Sequence, residues 1–362
     1  TELTTLRGPL YQSYNDDYYK VQPTSSSDFA FENVNPRPEV PALSGGTFKV
    51  ASVNVLNFFT TLRSRGASNS NELARQTEKL ALGLKEIDAD LMCIVELEND
   101  SSFMATTALL DALNVALDGR RTYASTAMTK SLGGGSDLIR TDLFFDPSKF
   151  ILEGAAVLDD SDAAAATFVG QSTVGGVFVG PNTNRSPLAA TFTEISTFKQ
   201  FTVACNHLKA KGGRGTGLDA DSGNGAASWN NQRTIGAQAL LLWLDTNPTG
   251  VATSARMLMG DFNAFPREDP IDIILAGGYS SAIDFSDKDA YTYVFAGQWG
   301  LLDYIFHTPS LLLADAATWK VNADEPSLFD YNTDFGNNHQ FDASDPYRYS
   351  DHDPVIATFQ IA

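Results

Sequence analysis

Positive charge and thiols are what this chain has least of. Lys and Arg number 25 against 44 Asp and Glu, and the formal net charge is −19. So acidic a chain favours solubility and excludes broad, unassisted attraction to polyanions. A nucleic-acid substrate is compatible with it only where a local basic rim or a bound cation reverses the field. Cysteine occurs twice, as Cys93 in "LMCIVEL" and Cys205 in "FTVACNHL", too few for a disulfide framework. Each lies inside an apolar run, so both are expected as small buried residues, with a single bridge as the alternative. No run approaches the roughly 18 apolar residues of a membrane span. The chain opens "TELTTLRGPL", without a basic segment leading into an apolar one. A signal peptide is therefore expected to be absent or already removed.

What is present reads as an ordinary globular protein of 362 residues, 43% hydrophobic and 19% charged, long enough for one large domain or two modest ones. Residues 1–46 are rich in Tyr, Asp, Ser and Pro and close on "NPRPEVPALSGG", an extended lead-in with Pro and Gly at the junction. The remainder, 47–362, carries short β-rich runs at 48–56, 91–96, 138–145, 168–180, 188–193, 200–206, 256–260, 303–307 and 353–361. The run 167–180 reads as two core strands joined at "STVGG". Two helices stand out. Residues 71–87 place Leu73, Leu80, Leu84 and Ile87 on one side; residues 229–246 align Ile235, Ala239 and Leu242, and end in an all-round apolar "ALLLWL" that predicts deep burial. Helices that punctuate strands without strictly alternating predict an α+β fold: a four-layer α/β/β/α sandwich of two mostly antiparallel sheets with outer helices. Segments 66–71, 132–137 and 211–226 read as loops.

Several apolar runs stop on a polar residue: Asn54, Glu96, Asn206 with His207, Asp261 with Asn263, and Asp303, while Asp351 and His352 open the last run. Singly, each is an ordinary turn or cap residue. Together, at the tips of strands that gather at one end of a sandwich, they predict a common pocket. Carboxylates, carboxamides and histidines without thiolate suit Mg²⁺, Mn²⁺ or Ca²⁺ better than zinc. Such a cation offsets phosphoryl charge, and a histidine beside an aspartate holds a proton near neutral pH. The chemistry these residues imply is metal-assisted hydrolysis of a phosphate ester.

The ordered series "ASVNVLN", "ADLMCIVELEN", "NHLKAKG", "GDFNAFP", "LLDYIF" and "YSDHDPV" resembles the endonuclease/exonuclease/phosphatase superfamily with its deoxyribonuclease-I-like fold, over about residues 48–361. "NPRPEVP", "GGTFKVASVNVLNFF", "WNNQR" and "VNADEP" with "FDYN" resemble more narrowly its large extracellular bacterial nucleases, in which a β-rich region precedes the nuclease domain. Residues 1–46 are then the tail of such a region. The resemblance implies Glu96 as principal metal ligand, with Val95 in place of the usual Gln. It implies Asn54 and Asp351 at the metal, and Mg²⁺ or Mn²⁺ as the ion, with Ca²⁺ as an alternative. Asp261 would orient or deprotonate the attacking water and Asn263 would hold a phosphate oxygen. His352 would contact the scissile phosphate, oriented by Asp303. His207 would be an acid or phosphate donor, with Asp137 of "GGGSDLIR" as its partner. Asp353 reads as a structural cap.

Lys209, Lys211 and Arg214 follow His207 and suit a nucleic-acid backbone, or a solvated loop. Arg185 and Arg233 match family positions and either touch phosphate or tie loops. "DADSGNG" (219–225) is one position out for an EF-hand and reads as a loop; His307 and His339 read as structural. The resulting expectation is a secreted, monomeric, metal-dependent nuclease cleaving DNA, with RNA as an alternative. A periplasmic or cell-surface location fits the same features. A phosphomonoesterase or lipid phosphodiesterase would use the same site, and a non-enzymatic binding module should have lost site residues that are all present.

Overall fold

The computed structural model describes residues 2–12, 19–32, 36–333 and 341–362; His339 lies outside them. Two compact units result, Thr1–Glu39 and Val40–Ala362. In the first, β1 (Glu2–Leu6) pairs with β4 (Phe29–Glu32) and β2 (Leu10–Gln12) with β3 (Tyr19–Val21), all antiparallel. No residue described there is buried, in keeping with a segment too polar to build a core.

The second unit is built on two six-stranded sheets. One has the order β17 (Leu311–Thr318), β18 (Val355–Ile361), β5 (Phe48–Phe58), β6 (Leu91–Glu98), β8 (Ile139–Phe145), β7 (Ala124–Ser125). The other runs β13 (Ser280–Ser281), β16 (Asp303–His307), β12 (Arg256–Asp261), β11 (Gln200–His207), β10 (Leu188–Glu194), β9 (Phe150–Val157). Among the described residues, only β5 with β6, and β11 with β12, are parallel. A separate hairpin joins β14 (Tyr293–Phe295) to β15 (Gln298–Gly300). The helices are α1 (Ser70–Ile87), α2 (Met104–Ala116), α3 (Thr126–Lys130), α4 (Ala163–Val169), α5 (Asn230–Asp245) and α6 (Asp269–Ala276).

Strand alternation sorts side chains into layers. On β6, Leu91, Cys93 and Val95 enter the cluster between the sheets with Phe192, Phe201 and Val203, while Met92 and Ile94 face outward under Leu80, Leu84 and Ile87 of α1 and Leu109 and Leu113 of α2. Phe48 stacks on Phe201 across the interior at 4.9 Å. Helix α1 starts where the Asn69 side chain accepts from Glu72 N and stops where Asp88 turns left-handed.

Three expectations need correction. Residues 168–180 form no strands: α4 ends at Val169, and the Asp160 carboxylate then gathers backbone N–H groups of Val177, Phe178 and Val179 into a loop. Val177 and Phe178 are buried there, so the apolar run marks a core plug without extended pairing. On α5, Leu242 is exposed, and Leu240, Trp243 and Leu244 carry the packing; its apolar end keeps one wet face. Finally, Cys93 and Cys205 are bonded to each other, with Cα atoms 5.4 Å apart, which joins the two sheets through the interior.

Candidate active site

Ladder register assembles the site. His207 is paired with Asp261 across parallel β11 and β12, and Asp261 with Asp303 across β12 and β16. On the other sheet, parallel β5 and β6 bring Asn54 level with Val95, one residue short of Glu96. Val355 of β18 pairs with Ser52, so the turn carrying Asp351 and His352 arrives at the same edge. Glu96 needs more than register. It has φ 72°, and the β6–β8 ladder slips between Val95 and Leu97. This bulge reverses the alternation: Leu97 joins Met92 and Ile94 in the outer core, and the Glu96 carboxylate turns into the cleft. Leu56 and Asn57 are also left-handed, at φ 52° and 47°, which lets Asn57 N donate to Glu96 Oε2 at 2.8 Å.

The cleft encloses about 630 Å³ and is lined by Glu96, His207, Asp261, Asn263, Asp351 and His352, by Arg65, Arg185 and Lys211, and by Phe265, Tyr293, Phe295 and Trp299. At its centre, Asp261 Oδ2 lies 3.6 Å from His207 Nε2 and 3.9 Å from His352 Nε2. His352 Nδ1 is 2.7 Å from Asp303 Oδ2, which aims Nε2 at Asp261, and Tyr293 packs on the ring at 4.6 Å. Burial opposes charge on His352, yet Asp303, Asp261 and Asp351 together raise its pKa well above the ordinary value. Burial, with Asp303 and Glu96 nearby, raises Asp261 to about 8 against the pull of His352. His207 behaves oppositely: burial, then Arg185 and His352, push its pKa well down. Arg185 Nη1 lies 3.3 Å from His207 Nε2, and a guanidinium only donates, so Nε2 is the acceptor and the ring proton sits on Nδ1.

Several expected roles change with this geometry. Asp137 is not the partner of His207; it pairs with Arg65 and Arg185, and Arg185 stands between it and the ring. Asn54 donates to Glu96 Oε1 at 3.1 Å and accepts from Leu56 N at 2.8 Å, so it orients the Glu96 carboxylate. Asn263 spends both amide hydrogens on Leu208 O and Asp261 Oδ2, each at 3.1 Å, and therefore fixes Asp261 without holding a phosphate oxygen. Arg233 is wholly buried, donating to the carbonyls of Lys209, Ser228 and Ala226, and does not reach the cleft. Lys211 lines the cleft, paired with Glu268 and lowered by burial to about 8, whereas Lys209 and Arg214 are not among its lining residues. Asp353 accepts from Asn322 N and Ala323 N as a cap. His307 Nδ1 bonds Leu311 O at 2.9 Å, and Asp219 of the 219–225 loop is occupied by Thr173 and Gln232 N.

Two donor sets suit a cation. Asp261, Asp303 and His352 offer atoms all within 4.8 Å of one another, with Asp303 Oδ2 also bonded to His352 Nδ1. Glu96 and Asp351, both lining the cleft, make the second. Burial and the Asp351 charge raise the pKa of Glu96 against the pull of His352 and Arg185, a crowding of carboxylates that a hard divalent ion would relieve.

Sequence reasoning missed Arg65 and the β14–β15 aromatics. Arg65 sits in an unpatterned Ser- and Arg-rich loop, and "YVFAGQWG" reads as an undistinguished hydrophobic stretch. Only its tight Ala-Gly turn marked a hairpin.

The endonuclease/exonuclease/phosphatase family model matches residues 51–352. Among solved structures, an endonuclease/exonuclease/phosphatase from Bacteroides vulgatus superposes with TM-score 0.52 at 15% identity, over 87% of this chain and 99% of that one. The human Nocturnin catalytic domain with bound sulfate gives 0.51 at 19%, over 88% and 94%. The mannosyl-6-phosphatase Bt3783 of Bacteroides thetaiotaomicron gives 0.51 at 14%, over 86% and 99%. At such identities the likeness is one of fold. No curated protein sequence matches the chain.

Proposed function

This chain belongs to the endonuclease/exonuclease/phosphatase family, whose members hydrolyse phosphoric esters, and on that premise we propose that it is a secreted, metal-dependent nuclease cleaving DNA phosphodiesters. The observation that carries this reading is the cleft wall. In a chain of net charge −19, Arg65, Arg185 and Lys211 line one cleft together with Phe295 and Trp299, which are 70% and 64% exposed. Guanidinium and ammonium groups suit a phosphate backbone, and bare aromatic faces suit stacked bases. A small phosphomonoester would leave most of this lining unused.

Glu96 and Asp351 would hold Mg²⁺ or Mn²⁺, which supplies charge neutralisation at the phosphoryl group. The protein's own groups divide the remaining work. Asp261, fixed by Asn263 and raised by burial, is placed to take the proton of the attacking water. His352, charged and oriented by Asp303, donates through Nε2 to a phosphate oxygen. Arg185 supplies a second donor beside His207. Secretion is supported by the buried Cys93–Cys205 bridge, a bond that persists in oxidising compartments. Among the described residues no helix is long and apolar enough to cross a membrane.

The test is a panel of supercoiled plasmid, linear DNA, RNA and p-nitrophenyl phosphate, each with Mg²⁺, Mn²⁺ or EDTA. Plasmid cleavage that requires metal and is lost in Glu96→Ala and His352→Ala is the expected outcome. Faster turnover of the monoester than of DNA would move the assignment to a phosphatase.

A further inference from the structure

Three charged side chains from three separate loops form a line along the His207 wall of the cleft. Arg65 comes from between β5 and α1, Asp137 from just before β8, and Arg185 from just before β10. Asp137 Oδ1 lies 3.3 Å from Arg65 Nη1 and its Oδ2 lies 3.3 Å from Arg185 Nε. Asp137 is itself held, accepting from Ile139 N at 3.1 Å through Oδ1 and from Asn99 Nδ2 at 2.8 Å through its carbonyl. Arg185 Nη1 continues the line to His207 Nε2 at 3.3 Å and Leu208 O at 3.1 Å. Both guanidiniums line the cleft and Asp137 does not.

A purely structural cluster would match acids to bases. Here a single carboxylate serves two guanidiniums, and both guanidiniums keep donors on the cleft side. Nor is the Arg65–Asp137 pair a strong device for stability, because its side chains are 38% and 29% exposed and such pairs contribute little. Arg65 keeps most of its fork free, with Nη1 to Asp137 as its one hydrogen bond among the described residues. A guanidinium so placed presents paired N–H donors to an anion. Its neighbour Arg185 already reaches the catalytic centre, so Arg65 stands one step further out along the same wall.

The geometry points to a second phosphate subsite: Arg65, set in place by Asp137 beside Arg185, binds a non-scissile phosphate of the substrate on the His207 side of the reacting one. This rests on the reading of the chain as a nuclease, and it makes the preferred substrate a polynucleotide strand with at least two phosphates. Asp137, expected from the sequence to orient a histidine, becomes the residue that positions the two arginines.

The test uses octathymidylates in which one phosphate at a time is replaced by a neutral methylphosphonate, with binding read by fluorescence anisotropy in EDTA so that no cleavage intervenes. Wild-type protein is expected to lose affinity about 10-fold when one particular non-scissile phosphate is neutralised. In Arg65→Ala that position should become indifferent while the other penalties persist. Arg65→Lys, which keeps the charge and loses the fork, should restore part of the penalty. The slope of log affinity against log salt should fall by about one in Arg65→Ala. A wild-type profile with no position whose penalty Arg65→Ala erases overturns the subsite, as does an octathymidylate that does not bind. Failure of the nuclease reading shows separately, as no cleavage of the unmodified strand with Mg²⁺ or Mn²⁺, and the binding profile still decides the subsite.

Discussion

Asp303 Oδ2 lies 2.7 Å from His352 Nδ1 although 49 residues separate the two, and both side chains are almost wholly buried. A carboxylate so close holds the imidazole proton and its orientation together. Asp303→Asn keeps the shape and removes the charge. The ring titration of His352, followed by NMR in metal-free protein, is expected to move to lower pH, because the nearest of the carboxylates that raise its pKa loses its charge. Turnover should drop by about 100-fold or more, with KM little changed. An unmoved titration would show that Asp303 does not govern this histidine.

Metal binding should register in stability. Burial and Asp351 raise the pKa of Glu96 in the folded chain. A carboxyl whose folded pKa lies above its unfolded value destabilises the native state when ionised, so metal-free stability falls as pH rises above about 4.3 through the raised value. Glu96→Gln removes that fall and should be more stable than wild type at neutral pH without metal. Mn²⁺ at 100 times its Kd should stabilise wild type by about 2.7 kcal/mol and leave Glu96→Gln unchanged. Thermal melts across pH, with and without Mn²⁺, read both effects; a variant that still responds to Mn²⁺ places the ion elsewhere.

Cys93 and Cys205 close a loop of 112 residues. Replacing both with Ala is expected to lower stability by up to about 4–5 kcal/mol on the loop-entropy account, measured by urea unfolding. Equal stability of the variant and the oxidised wild type would mean that the interior packing alone suffices.

Arg233 and Lys211 separate a buried cation from a cleft-lining one. Arg233→Ala strips donors from three carbonyls and leaves Glu268 with one partner fewer, and should cost about 3–5 kcal/mol of stability. Lys211→Ala, which also takes a partner from Glu268, should lower the melting temperature less than Arg233→Ala does while changing KM for DNA and its salt dependence. The reverse pattern would return Arg233 to the substrate.

Gly260 has φ 132°, and a Cβ there would sit 1.9 Å from Asn206 O, between the strands that carry His207 and Asp261. Gly260→Ala should therefore destabilise by on the order of 3 kcal/mol and lower turnover through displacement of both residues. Calorimetry with kinetics on the surviving folded fraction measures the two parts.

Much of this architecture was legible in the sequence because β-periodicity and the polar stops at strand ends are local signals. The runs at 48–56, 91–96, 200–206, 256–260 and 303–307 fall on central strands, where burial on both faces keeps the apolar pattern continuous. The edge strands β9 and β17 are half-exposed and mixed in character, and their sequences gave no clear pattern. Long-range facts were hidden for a different reason. The Cys93–Cys205 bond, the capture of Asp137 by two arginines, and the engagement of both Asn263 amide hydrogens depend on which loops meet in space. The identity of those residues was visible; their partners were not.

Glu96 occupies a left-handed backbone conformation that β-strand residues avoid, and the β-bulge around it exists to turn one carboxylate inward. Glycine would sit there more comfortably, and a neutral side chain would relieve the crowding of charge with Asp351. Glutamate at 96 is thus the choice that metal-free stability disfavours, and a position of that kind points to function.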